Sequence, residues 1–455
     1  MMLVIANSLR GALRPKTLGR TLPRFTSIST SLARDSIKRA LDDPFVHVQI
    51  NEKDDGEEFV CDEEPLVLSP EQGFGYYPIT LGQHFAEGKL QIVRKLGWAD
   101  NSNVWLARTL GNAYPAKYVA VKVLTVNATA GVVQGFLREV DSLRTIKTAN
   151  PDHPGHQHCL HLYDVIAEKS RHGPHICIVT NILGANMIGL RRLQLDGRAF
   201  TLALTKRIVK QTLLALDYLH RECGFVHTDV KPDNVLVCVD YEDEAITRLL
   251  EETPSATYDP RFEPTLSPEP IITVKSQPLP NFGLREDASN LKVCLIDYGQ
   301  ATPAKEHRAE LVQPVLLRAP EVTLGHGWST PIDVWSMGCL VFEYLTGAAM
   351  FQLSESSSIS VENLCLQRIL EHIGPFPPSF LERCQRRSDF FDEQGSLRVH
   401  NLIPQAMESC LRAYKVMDRQ DIAPAAAFIR KCLTIDPHAR PTALELLDDE
   451  WLKNA

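Results

Sequence analysis

The chain has 455 residues, more than one hydrophobic core usually serves, so its length predicts two lobes or domains. Its composition, 44% hydrophobic and 23% charged, is that of an ordinary globular protein and excludes a disordered chain, and no apolar run approaches the length that spans a bilayer. The net charge of −8 argues against direct nucleic-acid binding and is compatible with basic protein substrates.

The first 34 residues differ in composition from the rest of the chain. Residues 1–33 contain no Asp or Glu, whereas arginines and one lysine are interleaved with Leu, Ser and Thr. Such a composition is typical of a mitochondrial import presequence, and a disordered basic tail is the alternative. Residues 35–77 follow, acidic and irregular as far as Glu64, and we predict that they form a linker.

Folded sequence is expected from about residue 78, where strand patterns begin. Short runs with β-branched or alternating apolar residues predict five antiparallel strands. These runs are residues 91–96, 102–107, 118–124, 161–166 and 175–180. A helix is predicted over residues 135–147, which carry one apolar stripe. Residues 78–183 therefore predict a small lobe built on an antiparallel sheet.

The pattern becomes helical beyond Gly184. Residues 202–220 are long and amphipathic, and residues 331–345 are apolar enough to be buried on all sides. A sheet followed by helices predicts a bilobal α+β architecture, with residues 184–453 as the mostly helical lobe. A Pro-rich acidic segment of about residues 240–290 has no sustained periodicity, and we predict a disordered or loosely docked insertion.

Two segments carry the residue types that phosphoryl transfer requires. They are His227-Thr-Asp-Val-Lys-Pro-Asp-Asn234 and Asp297-Tyr-Gly299. Asp229 is the candidate to accept the proton of an attacking hydroxyl, and Lys231 is placed to neutralise the moving phosphoryl group. Asn234 and Asp297 supply oxygen ligands for a magnesium ion that bridges nucleotide phosphates.

Further motifs lie on either side in the order that one enzyme family shows. Val119-Ala-Val-Lys122 places a lysine within a strand, where Glu139 of the next helix and nucleotide phosphates are the expected partners. Downstream, Arg318-Ala-Pro-Glu321 precedes an arginine, Arg440, that is expected to pair with the glutamate. From about residue 90 to residue 452 the chain resembles the eukaryotic protein kinases, which implies their two-lobed fold with ATP in the cleft between the lobes.

Several segments narrow the resemblance to the kinases of serine/arginine-rich splicing factors, fungal members included. They are His227-Thr-Asp229, His153-Pro-Gly155, Gly173-Pro-His-Ile-Cys177, Gln313-Pro-Val-Leu-Leu-Arg-Ala-Pro-Glu321 and Phe390-Phe-Asp-Glu-Gln-Gly-Ser-Leu397. The resemblance implies a serine/threonine kinase that uses ATP and Mg²⁺, phosphorylates serine beside arginine and serves mRNA splicing. It also implies a cytoplasmic and nuclear location, whereas the basic N-terminus favours mitochondria. The sequence contains no evidence of an oligomer.

The same resemblance implies which residues bind ATP. The nucleotide loop, the strand after it, the hinge between the lobes and the floor of the cleft contribute, and Lys122 is shared with the catalytic set. They are Leu96, Gly97, Trp98, Ala99, Asp100, Asn101, Ser102, Asn103, Val104, Ala120, Lys122, Thr180, Asn181, Leu183 and Leu236. Ala99 departs from the family, because glycine is expected there, and alanine is costly if φ must be positive. A pseudokinase scaffold is therefore the alternative to an active enzyme.

Thr228 stands where many kinases have an arginine that binds a phosphorylated activation loop. Between Pro303 and Glu321 the sequence contains no Ser, Thr or Tyr that could be phosphorylated. We therefore predict that activity does not require phosphorylation of this segment.

Overall fold

An antiparallel sheet forms the N-terminal lobe of the computed structural model, which describes residues 63–193, 199–306, 311–352, 360–399 and 402–453. Its strands are β1 (His84–Phe85), β2 (Leu90–Ala99), β3 (Ser102–Thr109), β4 (Tyr118–Leu124), β5 (Leu162–Ser170) and β6 (Gly173–Thr180). Their order across the sheet is β1-β2-β3-β4-β6-β5. The five predicted strands are β2 to β6. The additional β1 has two residues, too few to show an alternating pattern.

Two helices, rather than the single one predicted, lie between β4 and β5. The first is α1 (Val126–Val133), whose N-cap Thr125 accepts a hydrogen bond from the Ala128 amide at 3.1 Å. The second is α2 (Glu139–Thr148). The predicted helix was placed four residues too early, because Gly135 has a φ of 80° and residues 134–138 form the turn between the two helices.

The C-terminal lobe is mostly helical, as predicted. Its helices are α3 (Met187–Arg192), α4 (Leu202–Asp217), α5 (Asp243–Glu252), α6 (Pro320–Thr323), α7 (Pro331–Thr346), α8 (Val361–His372), α9 (Pro378–Leu381), α10 (Arg387–Phe390), α11 (Met407–Tyr414), α12 (Arg419–Cys432) and α13 (Ala443–Leu447). Helix α7 is buried on nearly all sides and runs through the main hydrophobic core. Within the described residues, no helix combines the length and the apolar character that crossing a membrane requires.

Short strands flank the catalytic segments. They are β7 (Leu183–Asn186), β8 (Phe225–Val226), β9 (Val235–Cys238), β10 (Val293–Leu295) and β11 (Thr302–Pro303). Strands β7, β9 and β10 form one small sheet, and β8 pairs with β11. The bilobal α+β fold is thereby confirmed. Antiparallel pairing of β9 with β10 places the segment between β8 and β9 beside the segment that follows β10. About 60 residues separate these two segments along the chain.

The prediction of a disordered or loosely docked insertion at about residues 240–290 is wrong. Helix α5 is amphipathic and buries Ile246 against Leu106 and Tyr118 of the sheet. The hydroxyls of Tyr118 and Thr247 hydrogen-bond at 2.9 Å, and the Ser255 hydroxyl donates to the Val93 carbonyl at 2.7 Å. The insertion therefore packs on the N-terminal lobe.

The predicted linker is also wrong where the structure describes it. Residues 1–62, which include the basic segment, lie outside the described residues. From residue 63 the chain packs on the sheet, with Leu66, Tyr76 and Tyr77 buried. The Val126 amide donates to the Gly75 carbonyl at 3.0 Å, which fixes the end of this segment beside α1.

Candidate active site

A cleft of about 460 Å³ separates the sheet from the helical lobe. Most of the predicted ATP-binding residues line it, together with all but two of the predicted catalytic and metal-binding residues. Those that line it are Leu96, Gly97, Trp98, Ala99, Ser102, Val104, Ala120, Lys122, Glu139, Thr180, Asn181, Leu183, Asn234, Leu236 and Asp297. Residues that the sequence predicted from segments spread over about 200 positions therefore meet in one cleft.

Three predicted ATP-binding residues do not line this cleft. Asp100 and Asn101 occupy the turn between β2 and β3, beyond its wall. Asn103 lies on β3 between Ser102 and Val104, which do line the cleft, so its side chain points to the opposite face of the strand. There its amide donates to the Glu64 carboxylate at 2.9 Å. The prediction for Asn103 is wrong for this reason.

The cleft also contains residues that the sequence did not indicate. Leu160, Ile178 and Ile296 add apolar surface, and Pro278 and Leu279 come from the insertion. The insertion is fixed beside the hinge because the Ala185 amide donates to the Asn281 side-chain oxygen at 2.7 Å. Alternation on β6, where Thr180 faces the cleft, could have indicated Ile178. No local pattern could have indicated the insertion.

Lys122 and Glu139 form the predicted ion pair across the lobe. The Lys122 ammonium donates to both carboxylate oxygens of Glu139, at 2.6 and 2.8 Å, and lies 3.6 Å from an oxygen of Asp297. Burial alone would lower the pKa of Lys122, but the two carboxylates outweigh burial and raise it. Burial raises the pKa of Glu139, an effect that the neighbouring ammonium counteracts only in part. Lys122 is therefore held as a cation at the wall of the cleft.

The catalytic segment after β8 is held by the start of α7. Asp333 accepts hydrogen bonds from the amides of His227 and Thr228, at 2.7 and 2.9 Å, and from the His220 ring at 2.9 Å. The His227 ring accepts the Asp229 amide at Nδ1, so its Nε2 carries the proton and donates to the Ile296 carbonyl at 3.0 Å. This network fixes the backbone around Asp229.

Asp229, Lys231 and Asn234 form one hydrogen-bonded group. The Lys231 ammonium donates to Asp229 Oδ2 at 2.7 Å, and the Asn234 amide donates to the same oxygen at 3.1 Å and to the Asp229 carbonyl at 2.9 Å. Burial would lower the pKa of Lys231, but its bond to Asp229 outweighs burial and raises it. Both side-chain bonds fall on Oδ2, which leaves Oδ1 as the oxygen that would receive a proton.

Asn234 and Asp297 fit the predicted magnesium ligands. The side-chain nitrogen of Asn234 donates to Asp229, so its side-chain oxygen points away from Asp229. Asn234 and Asp297 line the same cleft. Burial would raise the pKa of Asp297, but the charges of Lys122 and Lys231 outweigh it and lower that pKa. An ionised carboxylate and an amide oxygen suit Mg²⁺, which commonly takes one or two protein ligands together with substrate phosphates.

Ala99 does not strain the nucleotide loop. Ala99, the last residue of β2, pairs with Ser102, the first residue of β3. Neither Ala99 nor Gly97 has a positive φ. Extended backbone of this kind accommodates any residue. The steric reason for doubting ATP binding is therefore removed.

Side chains hold the C-terminal part of the segment between Asp297 and Glu321. The Arg440 guanidinium donates to both oxygens of Glu321, at 2.7 and 3.0 Å, and both side chains are fully buried. Gln313 donates to the Ile332 carbonyl and the Ser336 hydroxyl, each at 2.8 Å, and accepts the Ala319 amide at 3.0 Å. The predicted pairing of Arg440 with Glu321 is thus present.

The described fold and the ordered set of Lys122, Glu139, Asp229, Asn234 and Asp297 define a protein kinase. The family model for the protein kinase domain matches residues 90–248 and 281–452, and the chain belongs to that family. It is a serine/threonine protein kinase, and the recognised resemblance to the SR-protein kinases is confirmed by its relatives.

Three relatives illustrate the match. The chain is 29% identical to the serine/threonine-protein kinase SRPK of Physarum polycephalum and 27% identical to protein kinase dsk1 of Schizosaccharomyces pombe. It is 22% identical to SRSF protein kinase 3 of Sus scrofa. Each match covers 83% of this chain, and it covers 89%, 83% and 88% of the three relatives, respectively.

Proposed function

We propose that the protein transfers the γ-phosphoryl group of ATP, with Mg²⁺, to serine or threonine in arginine-rich proteins such as splicing factors. The observation that supports it most directly is the hydrogen-bonded group of Asp229, Lys231 and Asn234. Its member Asn234 lines the same cleft as Lys122 and Asp297. Bound Mg²⁺ and ATP would supply the electrophilic phosphorus and neutralise the charge that develops on its oxygens.

The chain's own residues would position the reactants. Asp229 Oδ1 accepts the proton of the substrate hydroxyl, while Lys231 and Asn234 hold the carboxylate through Oδ2. Lys122 orients the phosphates from the other side of the cleft and is itself oriented by Glu139. Asn234 and Asp297 would hold the metal ion.

An acidic side chain in the catalytic segment supports a basic substrate. Asp233 is exposed and lines the cleft. A carboxylate in this position suits arginine, which binds carboxylates through paired N–H groups. The name of one relative, SRSF protein kinase 3, agrees with such a substrate.

A phosphorylation assay tests the proposal. The purified protein is incubated with radiolabelled ATP and a peptide that alternates arginine and serine, beside a matched peptide that alternates glutamate and serine. We expect label in the first peptide only, and no label with Asp229→Ala. Equal label with the wild-type protein and with Asp229→Ala would contradict the proposed function. Equal labelling of both peptides would contradict the arginine preference alone.

The subcellular location is a separate proposal with two alternatives. The SR-kinase resemblance supports the cytoplasm and the nucleus, whereas the basic composition of residues 1–34 supports mitochondria. Imaging of a C-terminally tagged protein, with and without residues 1–34, distinguishes them. A mitochondrial signal that disappears with the truncation supports import, and an unchanged cytoplasmic and nuclear signal supports the family location.

A further inference from the structure

Residues 63–77 contact both strands that carry the nucleotide loop. We call these residues the N-terminal strap. The strap bonds to β2 at Lys95 and Ala99 and to β3 at Asn103, so it spans the loop from its base to its tip. Nothing in the phosphoryl-transfer chemistry described above requires this segment.

Tyr76 is the contact of the strap with the loop tip. Its hydroxyl donates to the Ala99 carbonyl at 2.7 Å, and its ring meets the Trp98 ring edge to face at a centroid distance of 6.2 Å. Only 2% of Tyr76 is exposed. Burial raises its pKa, and the charges of Asp100 and Glu64 add to the effect, so the hydroxyl keeps its proton and remains a donor.

A buried charge cluster anchors the other end of the strap. The Lys95 ammonium binds the carboxylates of Glu63 and Glu64, and all three residues are at most 3% exposed. The second Glu64 oxygen accepts the Asn103 amide, and the Ser276 hydroxyl of the insertion donates to Glu63 at 2.6 Å. Since a buried charge is tolerated only when paired, this cluster fixes the strap relative to β2 and β3.

The bond to Ala99 bears directly on phosphate binding. A planar trans peptide directs the Ala99 C=O and the Asp100 N–H to opposite sides. Tyr76 is not among the residues lining the cleft, so it binds the carbonyl from outside the cleft. The bond therefore restrains the peptide between Asp100 and Ala99, and Ala99 lines the cleft at the loop that would cover the phosphates.

We propose that Tyr76 is a positioning residue that holds the nucleotide loop in its phosphate-binding conformation. The inference rests on the proposed binding of ATP in the cleft. Where a loop richer in glycine adapts its backbone to the phosphates, this loop has Ala99 and Ser102 and is held from outside by a side chain.

Substitution of Tyr76 tests the inference through nucleotide binding rather than activity. Tyr76→Phe removes the hydroxyl and keeps the ring against Trp98. Calorimetric titration with ATP and Mg²⁺, and separately with adenosine, measures both affinities. We expect the ATP affinity to fall about fivefold, which is the ratio for one ordinary intramolecular hydrogen bond. Adenosine, which lacks phosphates, should bind as tightly as to the wild-type protein.

Tyr77→Phe is the matched control. Its hydroxyl donates to the Lys169 carbonyl on β5 at 3.1 Å, away from the nucleotide loop, so both affinities should stay unchanged. Melting temperatures of both variants show that they are folded. Equal losses for ATP and adenosine in Tyr76→Phe would indicate a merely structural role and overturn the inference, as would unchanged ATP affinity. If the wild-type protein bound neither nucleotide, the proposed function itself would fail and the inference with it.

Discussion

An ion pair connects α2 to the stretch between Asp297 and Glu321, which we call the activation segment. Arg138 donates from both terminal nitrogens to Glu306, with distances of 3.1 to 3.3 Å. Arg138 is the N-cap residue of α2 and immediately precedes Glu139, the partner of Lys122. The pair therefore connects the activation segment to the helix that positions the catalytic lysine. We predict that Glu306→Gln lowers activity without any phosphorylation being involved.

The expected loss is small because the pair is partly exposed. The side chains of Arg138 and Glu306 are 29% and 42% exposed, and pairs of that kind contribute about 0.2–1 kcal/mol. Because two nitrogens of the guanidinium bind the carboxylate, this pair should contribute near the upper end of that energy range. The value of kcat/KM should therefore fall by at most about fivefold. Gln313 and Glu321 hold the rest of the segment, which limits the loss further. The difference from wild type should shrink in high salt, which screens exposed charges.

Steady-state kinetics of phosphatase-treated protein measure the effect. Asp141→Asn is the matched control, because it removes an exposed carboxylate 3.6 Å from Arg144 on the same helix without touching the activation segment. A double-mutant cycle with Arg138→Gln and Glu306→Gln isolates the pair. Zero coupling in that cycle, or loss of wild-type activity on phosphatase treatment, would refute the reasoning.

Three further outcomes are expected. Asp229→Asn should lower kcat at least about 100-fold with ATP affinity retained, because it removes the proton acceptor; a smaller loss in single-turnover kinetics would argue against that role. Glu321→Ala should cost about 3–5 kcal/mol of stability, seen as a lower melting temperature, because Arg440 keeps a buried unpaired charge. Burial lowers the pKa of His175 to about 4, below its unfolded value near 6.5. The unfolded chain therefore binds the extra proton, and stability on the order of 3 kcal/mol should be lost as the pH falls from about 6.5 to 4. Denaturant unfolding of His175→Gln should show a shallower loss over that range.

The sequence predicted the catalytic side chains because each lies in a short motif with a fixed local geometry. Asp229, Lys231 and Asn234 fall within six residues, and their mutual bonds follow from that spacing. Asp297 follows a strand that pairs with the strand after Asn234, so the pairing of strands joins the two motifs. The motif was insufficient for Asn103. Its position in the nucleotide loop did not indicate which face of β3 its side chain occupies.

The strap and the insertion could not be predicted, because their contacts join distant parts of the chain. Glu63 binds Lys95 and Ser276, which are 32 and 213 residues away. An acidic, proline-rich composition indicates a segment that cannot bury enough apolar surface alone. Here Glu63 and Glu64 are buried because they share the Lys95 ammonium and accept hydrogen bonds from Ser276 and Asn103. Composition does not reveal partners on other elements.

Backbone strain at two positions of the candidate active site favours an active enzyme over a pseudokinase scaffold. Thr228 and Asp297 have positive φ values of 69° and 68°, and a buried β-branched residue such as Thr228 rarely adopts that conformation. Each such residue costs about 1–3 kcal/mol and persists only where the surroundings enforce it. Here Asp333 and the Gln300 carbonyl hold Thr228 by its amide and its hydroxyl. The strain at Thr228 fixes the backbone next to Asp229, and the strain at Asp297 fixes a residue that lines the cleft. Phosphoryl transfer requires both carboxylates to be positioned, whereas a surface that only presents contacts to a partner does not. With the objection from Ala99 removed, the strain at these two positions favours catalysis.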